Sequence, residues 1–318
     1  MVDKPTVPIV IFLMGPTAVG KSTVAEHLFE SLDAELISVD SGQIYRGMDI
    51  GTAKPDQELL QRVPHHLIDI REITESYSVA KFRDDALTLI EKIIAKGKTP
   101  LLVGGTMFYF SVLENGISKL PGGDPEVRSE IEQIVQEKGL LYLHQKLTEV
   151  DPISAKRIKT QDTQRLKRAY EIFTITGQPP SSVIAESCPQ NLQIQYRKIA
   201  LFRPREILHK RIEVRFMDMI ERGLVSEVEG LAKSIRKPEI LPSMRSVGYR
   251  QVIDYLYGKL TDTEMIEKGV ASTRQLAKRQ LTWLRNQSNV AWVNAENSNL
   301  EKMIVKYLES MNIHADRT

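Results

Sequence analysis

The sequence is poor in cysteine: Cys188 stands alone among 318 residues. A single cysteine excludes a disulfide framework within the chain, and without a matching histidine and asparagine context it predicts an apolar filler. No apolar run reaches the ~18 residues that a membrane-spanning helix needs. The first residues, Met1-Val2-Asp3-Lys4-Pro5, are not built like a signal peptide. We therefore expect a soluble, cytosolic and monomeric protein with no membrane partner.

The charge balance also lacks a strong sign. Lys and Arg number 43 against 41 Asp and Glu, which gives a net charge of +2. Nucleic-acid binding cannot be inferred from such a total, so the distribution of the charges must decide. The apolar share of 42% and the charged share of 26% are typical of a globular chain. The length predicts one large domain or two, and we find no internal repeat.

The most informative motif is a glycine loop after the apolar run Ile9–Met14. It matches the pattern G-x-x-x-x-G-K-[ST] and consists of Gly15, Pro16, Thr17, Ala18, Val19, Gly20, Lys21 and Ser22. In such a loop, backbone N–H groups and the start of the following helix face phosphate oxygens. Lys21 neutralises the terminal phosphate, and the Ser22 hydroxyl holds Mg²⁺. The flanking strand and helix argue against a chance glycine turn, so the sequence predicts binding of a phosphate or pyrophosphate ester.

The first part of the chain alternates strand and helix patterns, which is typical of a parallel sheet covered on both faces. The predicted strands are Val10–Met14, Glu35–Val39, His66–Ile68 and Pro100–Val103, and helix Val79–Lys96 separates the last two. Each strand is followed by a polar or glycine-rich position, namely Gly15, Asp40, Asp69 and Gly104-Gly105-Thr106. Ligands of such sheets bind at the carboxyl ends of the strands, so these positions predict the rim of an active site.

A helical segment interrupts the alternation. Amphipathic patterns start at Val127 and Leu140, and Asp162 looks like the N-cap of a helix that ends before Gly177. A strand resumes at Ile199. We expect an α/β fold with a P-loop NTPase-like parallel sheet core and an all-helical insertion domain. The predicted boundaries are 1–118 for the first part of the core, 119–198 for the insertion, and 199–318 for the completion of the core with long basic helices.

Asp40 ends a predicted strand eighteen residues after Ser22. Such a carboxylate either holds Mg²⁺ through water, acts as a general base, or simply caps a turn. The polar loop that follows it, at 41–55, suits recognition of a polar planar ligand, although each of its residues could be an ordinary loop residue. Gly104-Gly105 could approach a ligand or only form a tight turn. The pair His65-His66 does not predict a metal site, because neighbours on a strand point to opposite faces.

Basic residues are unevenly distributed. Six lie within thirteen residues against one acid, Asp162; they are Lys156, Arg157, Lys159, Arg165, Lys167 and Arg168. On the last long helix, Arg274, Lys278 and Arg285 share one face, with Arg279 beside them and no acid between Arg274 and Arg285. A face of one sign favours a phosphate-backbone partner over an ordinary solvated face.

Taken together, these blocks resemble one family, the bacterial tRNA dimethylallyltransferases, also called tRNA isopentenyltransferases. The resemblance covers nearly the whole chain in the order of the family. It rests on residues 15–22, 40–55, 63–69, 102–106, 162–168, 247–251 and 274–285. The second and last blocks are highly specific, and no matched position departs in a way that would disturb the chemistry.

The resemblance implies transfer of a dimethylallyl group from its diphosphate to the exocyclic N6 amine of the tRNA adenosine just 3′ of the anticodon. It implies that Asp40 is the base, that the loop at 15–22 binds the diphosphate with Mg²⁺ at Ser22, and that the anticodon stem-loop is the partner. The tRNA contacts that follow from the resemblance and from the basic helix are Asp40, Ser41, Gly42, Gln43, Thr106, Arg128, Gln164, Arg165, Leu166, Lys167, Arg168, Lys278 and Arg285.

The chemistry agrees with this interpretation. Departure of diphosphate leaves a delocalised allylic cation, and backbone amides, Lys21 and Mg²⁺ stabilise the leaving charge. A stacked adenine cannot reach a buried donor, so we expect it to flip out of the loop. The alternatives are a small-molecule or nucleotide kinase, which would need a nucleoside triphosphate, and an RNA-stimulated ATPase. A GTPase is disfavoured because no Asn-Lys-x-Asp motif occurs.

Overall fold

The structure is a computed structural model that describes residues 7–118, 120–186, 194–233 and 235–310. Cys188 and the first residues of the chain, Met1–Pro5, lie outside the described residues. The chain divides into two compact units, Met1–Glu114 with Gln193–Thr318, and Asn115–Leu192. Within the described residues, no helix is both long and apolar enough to cross a membrane.

Six parallel strands form the sheet of the first unit, in the spatial order β3-β2-β4-β1-β5-β6. The strands are β1 Ile9–Met14, β2 Ala34–Val39, β3 His65–His66, β4 Thr99–Gly104, β5 Gln195–Phe202 and β6 Val290–Asn294. Because all of them run in one direction, their carboxyl ends meet at one edge, where loops can assemble a site.

The helices, in chain order, are α1 Lys21–Ser31, α2 Gln57–Arg62, α3 Val79–Ala95, α4 Met107–Asn115, α5 Pro125–Val150, α6 Pro152–Arg157, α7 Thr163–Thr176, α8 Pro180–Glu186, α9 Arg205–Glu221, α10 Leu224–Ala232, α11 Tyr249–Leu256, α12 Asp262–Arg285 and α13 Leu300–Ser310. A short 3₁₀ turn covers Pro238–Ile240. The starts of the helices follow their caps. Ser78 accepts a hydrogen bond from Lys81 N at the start of α3, and Thr261 forms a capping box with Glu264 at the start of α12.

Strand β1 lies at the centre of the first unit and is buried on both faces. Its side chains alternate between two cores: Ile11 and Leu13 pack with α1 and α9, whereas Val10 and Phe12 pack with α3 and α4. This alternation follows from the two-residue period of a strand. The sheet therefore holds its carboxyl edge rigidly between helical layers.

All elements of secondary structure among the described residues of the second unit are helices, with a core around Ile131, Leu143, Leu147 and Leu166. Its α5 breaks at Gly139, which has a φ of 81°. Because glycine adopts that backbone at little cost, the chain turns there and the two predicted amphipathic patterns become successive helical segments. The predicted cap residues of α7 are confirmed: the Asp162 side chain accepts from Arg165 N, and Gly177 follows the last turn with a φ of 69°.

The predicted fold class is confirmed, and the departures are local. Strand β3 was predicted at 66–68 but covers His65–His66, because Leu67 and Asp69 have positive φ values of 64° and 54° and lead the chain out of the sheet. The helix predicted at 225–235 ends at Ala232. Helix α4 was not predicted, because five of its nine residues, MFYFSVLEN, are buried and no polar face produces a helical period.

Candidate active site

A cavity of about 1080 Å³ opens at the carboxyl edge of the sheet. Residues of the glycine loop, the end of β2, the end of β4, and the helices α9 and α12 all contribute to its wall. Five cationic side chains line it against two carboxylates; they are Lys21, Lys210, Arg211, Arg215 and Arg279 against Asp40 and Asp218. This excess of positive charge favours an anionic ligand.

The glycine loop connects β1 to α1 as the sequence predicts. Ala18 and Gly20 have positive φ values of 63° and 105°, so the loop curls back before the helix begins at Lys21. The Lys21 ammonium donates to the carbonyl oxygens of Gly15 and Pro16, both at 3.0 Å. Loss of hydration by burial and the neighbouring Arg215 charge lower the pKa of Lys21 to about 8, although Asp40 acts in the opposite direction.

The loop residues divide between the cavity and the core. Those that line the cavity are Thr17, Ala18, Gly20, Lys21 and Ser22. Gly15, Pro16 and Val19 are instead buried. A Cβ at Gly15 would meet Val19 Cγ1 at 2.9 Å and Leu201 O at 3.0 Å. These buried members therefore shape the loop, and the cavity-facing members are the ones that can meet a ligand.

Asp40 follows the last residue of β2 and lines the cavity. Its Oδ1 atom accepts hydrogen bonds from Gly42 N at 2.8 Å and from Gln43 N at 3.3 Å. No described residue donates a hydrogen bond to Oδ2. The carboxylate thus caps a turn with one oxygen and leaves the other without a donor among the described residues. The pKa values of Lys21 and Arg215 are lowered by burial, and the Asp40 charge opposes that lowering.

The loop after Asp40, residues 41–55, is called the rim loop here, and side-chain hydrogen bonds connect it to neighbouring segments. Ser41 N donates to Thr106 Oγ1 at 3.1 Å, which joins the ends of β2 and β4. The Gln43 amide accepts from Ser38 Oγ at 3.0 Å and donates to the carbonyl oxygens of Thr52 and Ala53. Ser41, Gly42, Gln43 and Thr106 all line the cavity. The structure therefore brings these four predicted residues together with Asp40.

The glycine pair after β4 is explained by contacts within the protein. A Cβ at Gly104 would lie 2.0 Å from Val39 O, and one at Gly105 would lie 2.5 Å from Gln280 Nε2. Both values are far below ordinary contact distances. Neither glycine can carry a Cβ here, because a neighbouring strand and a helix side chain approach too closely; approach to a ligand stays a prediction.

Among the residues at the site that the sequence did not predict, four stand out by their contacts or charge. Gln280 of α12 accepts from Thr17 N at 2.9 Å and donates to Gly105 O at 2.8 Å, so it bridges the glycine loop and the β4 turn. Arg211 Nε donates to Ala18 O at 2.9 Å, and Arg203 Nε donates to Val19 O at 2.8 Å. Arg215 is the fourth. Arg203 lies directly past β5, so the rule on strand ends could have found it, whereas nothing local distinguishes Gln280 or the arginines of α9.

The two basic surfaces predicted from the sequence differ in the structure. On α12, Lys278, Arg279 and Arg285 are exposed and form no ion pair with any described residue, whereas Arg274 is paired with Glu213 at 2.9 Å. Lys278 and Arg279 line a smaller concavity of about 450 Å³ with Trp283. Arg279 and Trp283 also line the main cavity, so this face of α12 continues from it.

In the helical unit, acids from other turns neutralise much of the basic block. Arg128 Nε and Arg168 donate to the two carboxylate oxygens of Glu171, at 2.8 and 2.5 Å, and Lys167 contacts Glu132. Burial alone would raise the pKa of Glu171, but the hydrogen bonds from these arginines outweigh it and the pKa is lowered. The prediction of a basic block opposed only by Asp162 is therefore wrong: Lys167 and Arg168 form ion pairs with other acids, and Arg165 contacts Asp162 at 3.0 Å.

Leu166 requires a second correction. It was included among the tRNA contacts, but its side chain is completely buried in the core of the helical unit and has no surface to offer a partner. Gln164 and Arg165 beside it are exposed, and Arg128 keeps 63% of its side chain exposed despite its ion pair. These three side chains remain accessible to a partner.

The two adjacent histidines have separate partners. His66 Nε2 lies 2.9 Å from Glu35 Oε2, and His65 Nδ1 lies 2.6 Å from Val63 O. Burial lowers the pKa of His65, which also lines the cavity. His65 is therefore a partly buried cavity residue to which the sequence had assigned no role.

The fold and the cavity define an α/β protein with a P-loop, whose cation-rich cavity also contains the Asp40 carboxylate. A sequence profile of the IPP transferase family matches residues 43–287. The full-length tRNA isopentenylpyrophosphate transferase of Bacillus halodurans is 37% identical over 96% of this chain and 98% of that one, with a TM-score of 0.69. The chain belongs to the IPP transferase family.

Two further solved structures are similar. The tRNA delta(2)-isopentenylpyrophosphate transferase of Staphylococcus epidermidis is 31% identical, covers 96% of this chain and 99% of that one, and has a TM-score of 0.67. A eukaryotic dimethylallyltransferase acting on tRNA is 25% identical, with coverage of 98% and 80% and a TM-score of 0.78. The profile match begins after the P-loop and Asp40, so the likeness of those residues rests on the structures. The predicted family resemblance is confirmed.

Proposed function

We propose that this enzyme transfers a dimethylallyl group from dimethylallyl diphosphate to the N6 amine of the tRNA adenosine 3′ of the anticodon, and releases diphosphate. Membership of the IPP transferase family and the similar enzymes that act on tRNA support a tRNA substrate. One observation supports the chemistry: the same cavity is lined by the phosphate loop and by Asp40, whose Oδ2 atom accepts no hydrogen bond from a described residue. Because tRNA is the acceptor, we expect the enzyme to act in the cytoplasm.

The reaction needs a site for the leaving group and a site for a proton. The bond between the allylic carbon and the diphosphate oxygen breaks, and its electron pair leaves with diphosphate. Backbone N–H groups of residues 17–22 and the Lys21 ammonium are available to bind that charge as it develops. The new bond joins the same carbon to the adenosine amine, whose proton passes to Asp40 Oδ2.

The cations of the α9 helix support the diphosphate role of the loop. Arg211 donates a hydrogen bond from Nε to Ala18 O, so the N–H groups of its two terminal nitrogens can face an anion in the cavity that it lines. Burial lowers the pKa of Arg215, with Asp40 opposing that effect. An arginine remains charged under such a shift, since its ordinary pKa lies far above neutrality. The arginines therefore offer positive charge to an anion, and the cationic side chains of the cavity outnumber its two carboxylates, Asp40 and Asp218.

The residues present fit Mg²⁺ as a partner of the diphosphate. The Ser22 hydroxyl is exposed and lines the cavity together with the Asp40 carboxylate, and such oxygen atoms are the ligands that Mg²⁺ prefers. Among the described residues, no cluster of three His, Cys, Asp or Glu side chains exists that could hold a metal alone. We therefore assign Ser22 as the protein ligand, with diphosphate oxygens and water completing the shell. When bound, Mg²⁺ would stabilise the charge of the leaving group.

The tRNA contacts that we propose are residues that a partner can reach. Around the cavity these are Ser41, which is exposed, and Gly42, Gln43 and Thr106, which are partly exposed and line it. On α12, Lys278 and Arg285 are free of described ion pairs, which suits them to phosphates. In the helical unit we propose contacts from Arg128, Gln164 and Arg165, and a supporting role through Glu171 and Glu132 for Arg168 and Lys167.

The test is mass spectrometry of tRNA nucleosides after incubation of the enzyme with unmodified tRNA and dimethylallyl diphosphate. We expect an isopentenylated adenosine and free diphosphate in equal amounts. ATP serves as the control donor, because a kinase or an ATPase would consume it and leave the adenosine unmodified. Turnover of ATP without a prenylated nucleoside would overturn the proposal.

A further inference from the structure

Glu227 of α10 holds three successive backbone N–H groups of the rim loop. Its Oε2 atom accepts from Asp49 N at 3.0 Å and from Ile50 N at 2.7 Å, and Oε1 accepts from Gly51 N at 3.2 Å. The Tyr249 hydroxyl donates a fourth hydrogen bond to Oε1 at 2.6 Å. A carboxylate that accepts several N–H bonds is a strong and directional anchor, because each of these bonds is assisted by its charge.

Tyr249 contacts both Glu227 and the loop that Glu227 holds. Its side chain is completely buried, and burial together with Glu227 raises its pKa, so the hydroxyl keeps the proton that it donates. Gly51 packs directly on the ring: a Cβ there would lie 2.4 Å from Tyr249 Cε2. The loop at 49–51 is therefore fixed by hydrogen bonds to its backbone and by close packing.

The anchored segment leads directly to the proposed base. Thr52 and Ala53 follow it, and their carbonyl oxygens accept from Gln43 Nε2 at 3.4 and 3.3 Å. The backbone N–H of Gln43 in turn donates to Asp40 Oδ1 at 3.3 Å. Gly51, Thr52, Ala53, Gln43 and Asp40 all line the cavity, whereas Glu227 does not. Glu227 can therefore influence the reaction only through the residues that it holds.

We propose that Glu227 is a positioning residue for the transfer reaction. By fixing the backbone at 49–51 it keeps the acceptors of the Gln43 amide in place, and through Gln43 it orients the Asp40 carboxylate toward the adenosine amine. This inference rests on the proposed function, since the amine is the group that Asp40 is to deprotonate. A misplaced base slows the chemical step and leaves the donor site intact, because the glycine loop has other supports.

The first test replaces Glu227 with glutamine. The Glu227→Gln side chain keeps its shape but turns one acceptor oxygen into an NH₂ group, which faces N–H donors without an acceptor. We expect kcat to fall about tenfold with the donor KM within about twofold of the wild type. Tyr249→Phe removes only the hydroxyl and leaves the three backbone bonds, so we expect a smaller fall of kcat, about twofold to threefold. This milder variant keeps the proposal testable if Glu227→Gln does not fold.

A matched control exists in the same unit. Glu239 Oε2 accepts from the Tyr257 hydroxyl at 3.1 Å, but Tyr257 is half exposed and the pair holds no loop. Glu239→Gln breaks a tyrosine–carboxylate contact of the same chemistry. We expect turnover like that of the wild type, which separates loss of position from loss of any such pair.

A double-mutant cycle with Gln43→Leu tests whether Glu227 acts on Asp40 through Gln43. If Glu227 acts through Gln43, the double variant will turn over about as fast as Gln43→Leu alone, because the second change removes a support that no longer has a function. Fully additive losses, an unchanged kcat in Glu227→Gln, or an equal loss in Glu239→Gln would each overturn the proposal. Wild-type enzyme that yields no prenylated nucleoside would instead refute the proposed function, so the two failures are distinct.

Discussion

Gln280 provides the sharpest test of how the phosphate loop is supported. Its side chain is 8% exposed and spans two segments: it accepts from Thr17 N at 2.9 Å and donates to Gly105 O at 2.8 Å. The variant Gln280→Met has a similar volume and no hydrogen-bonding amide. It therefore leaves the Thr17 N–H and the Gly105 carbonyl without partners but adds no large cavity.

The expected magnitude follows from these two bonds. A hydrogen bond contributes about 0.5–1.5 kcal/mol net, and an unpaired buried partner costs about 1–3 kcal/mol. Both bonds are only partly buried, which favours the lower half of that range. We expect the free energy of unfolding to fall by about 2–3 kcal/mol. Because Thr17 belongs to the donor site, we also expect the donor KM to rise roughly tenfold, which corresponds to about 1.4 kcal/mol.

The assay combines denaturant unfolding with steady-state kinetics in the donor. Gln61→Met is the control, because Gln61 lies exposed on α2 and its side chain forms no hydrogen bond with a described residue. Gln280→Glu separates the two bonds, since a carboxylate still accepts from Thr17 N but cannot donate to Gly105 O. We expect a loss of stability at least as large as in Gln280→Met, because a carboxylate oxygen then faces the Gly105 carbonyl, and a larger rise in donor KM, because the new charge repels diphosphate. Wild-type stability and donor KM in Gln280→Met would refute the bridging role.

Four further predictions concern the proposed chemistry. Asp40→Asn should lower kcat by about 10²–10⁴ with tRNA affinity retained, measured by single turnover and by direct binding. The pKa of Lys21 of about 8 predicts that kcat/KM for the donor falls as the pH rises through 8, because the ammonium that attracts diphosphate loses its proton; Lys21→Arg should remove this decline. Ser22→Ala should raise the Mg²⁺ concentration needed for half-maximal rate. Lys278→Ala and Arg285→Ala should each weaken tRNA binding and reduce its salt slope by about one ion, with donor KM unchanged.

Each of these has a result that contradicts it. Near-normal turnover of Asp40→Asn would remove the base role from that residue. A pH profile of Lys21→Arg identical to that of the wild type would assign the decline to another group. An unchanged Mg²⁺ titration would exclude the Ser22 hydroxyl as a ligand, and unaltered salt slopes would show that the α12 face is only solvated.

The sequence by itself was sufficient for the parts that depend on local chemistry. The glycine loop at 15–22 can be predicted from its spacing, because a strand followed by glycines, a lysine and a hydroxyl in that order is typical of a phosphate-binding P-loop. The parallel sheet follows from buried strands that alternate with helices, and the caps Asp162 and Gly177 follow from local backbone preferences. The family could be recognised in the same way, since its motifs are continuous stretches of the chain.

Only the tertiary structure decided which distant residues meet. Gln280 reaches a loop 263 residues away, and Arg211 and Glu227 act on backbone groups of other segments, so no local pattern distinguishes them from surface residues. The tertiary structure also decided which basic side chains form ion pairs. Arg168 and Lys278 look equally basic in sequence, but Arg168 forms an ion pair with the nearly buried Glu171, whereas Lys278 forms none with a described acid. Long-range hydrogen bonds and ion pairs depend on how elements pack, and packing is a property of the folded chain as a whole.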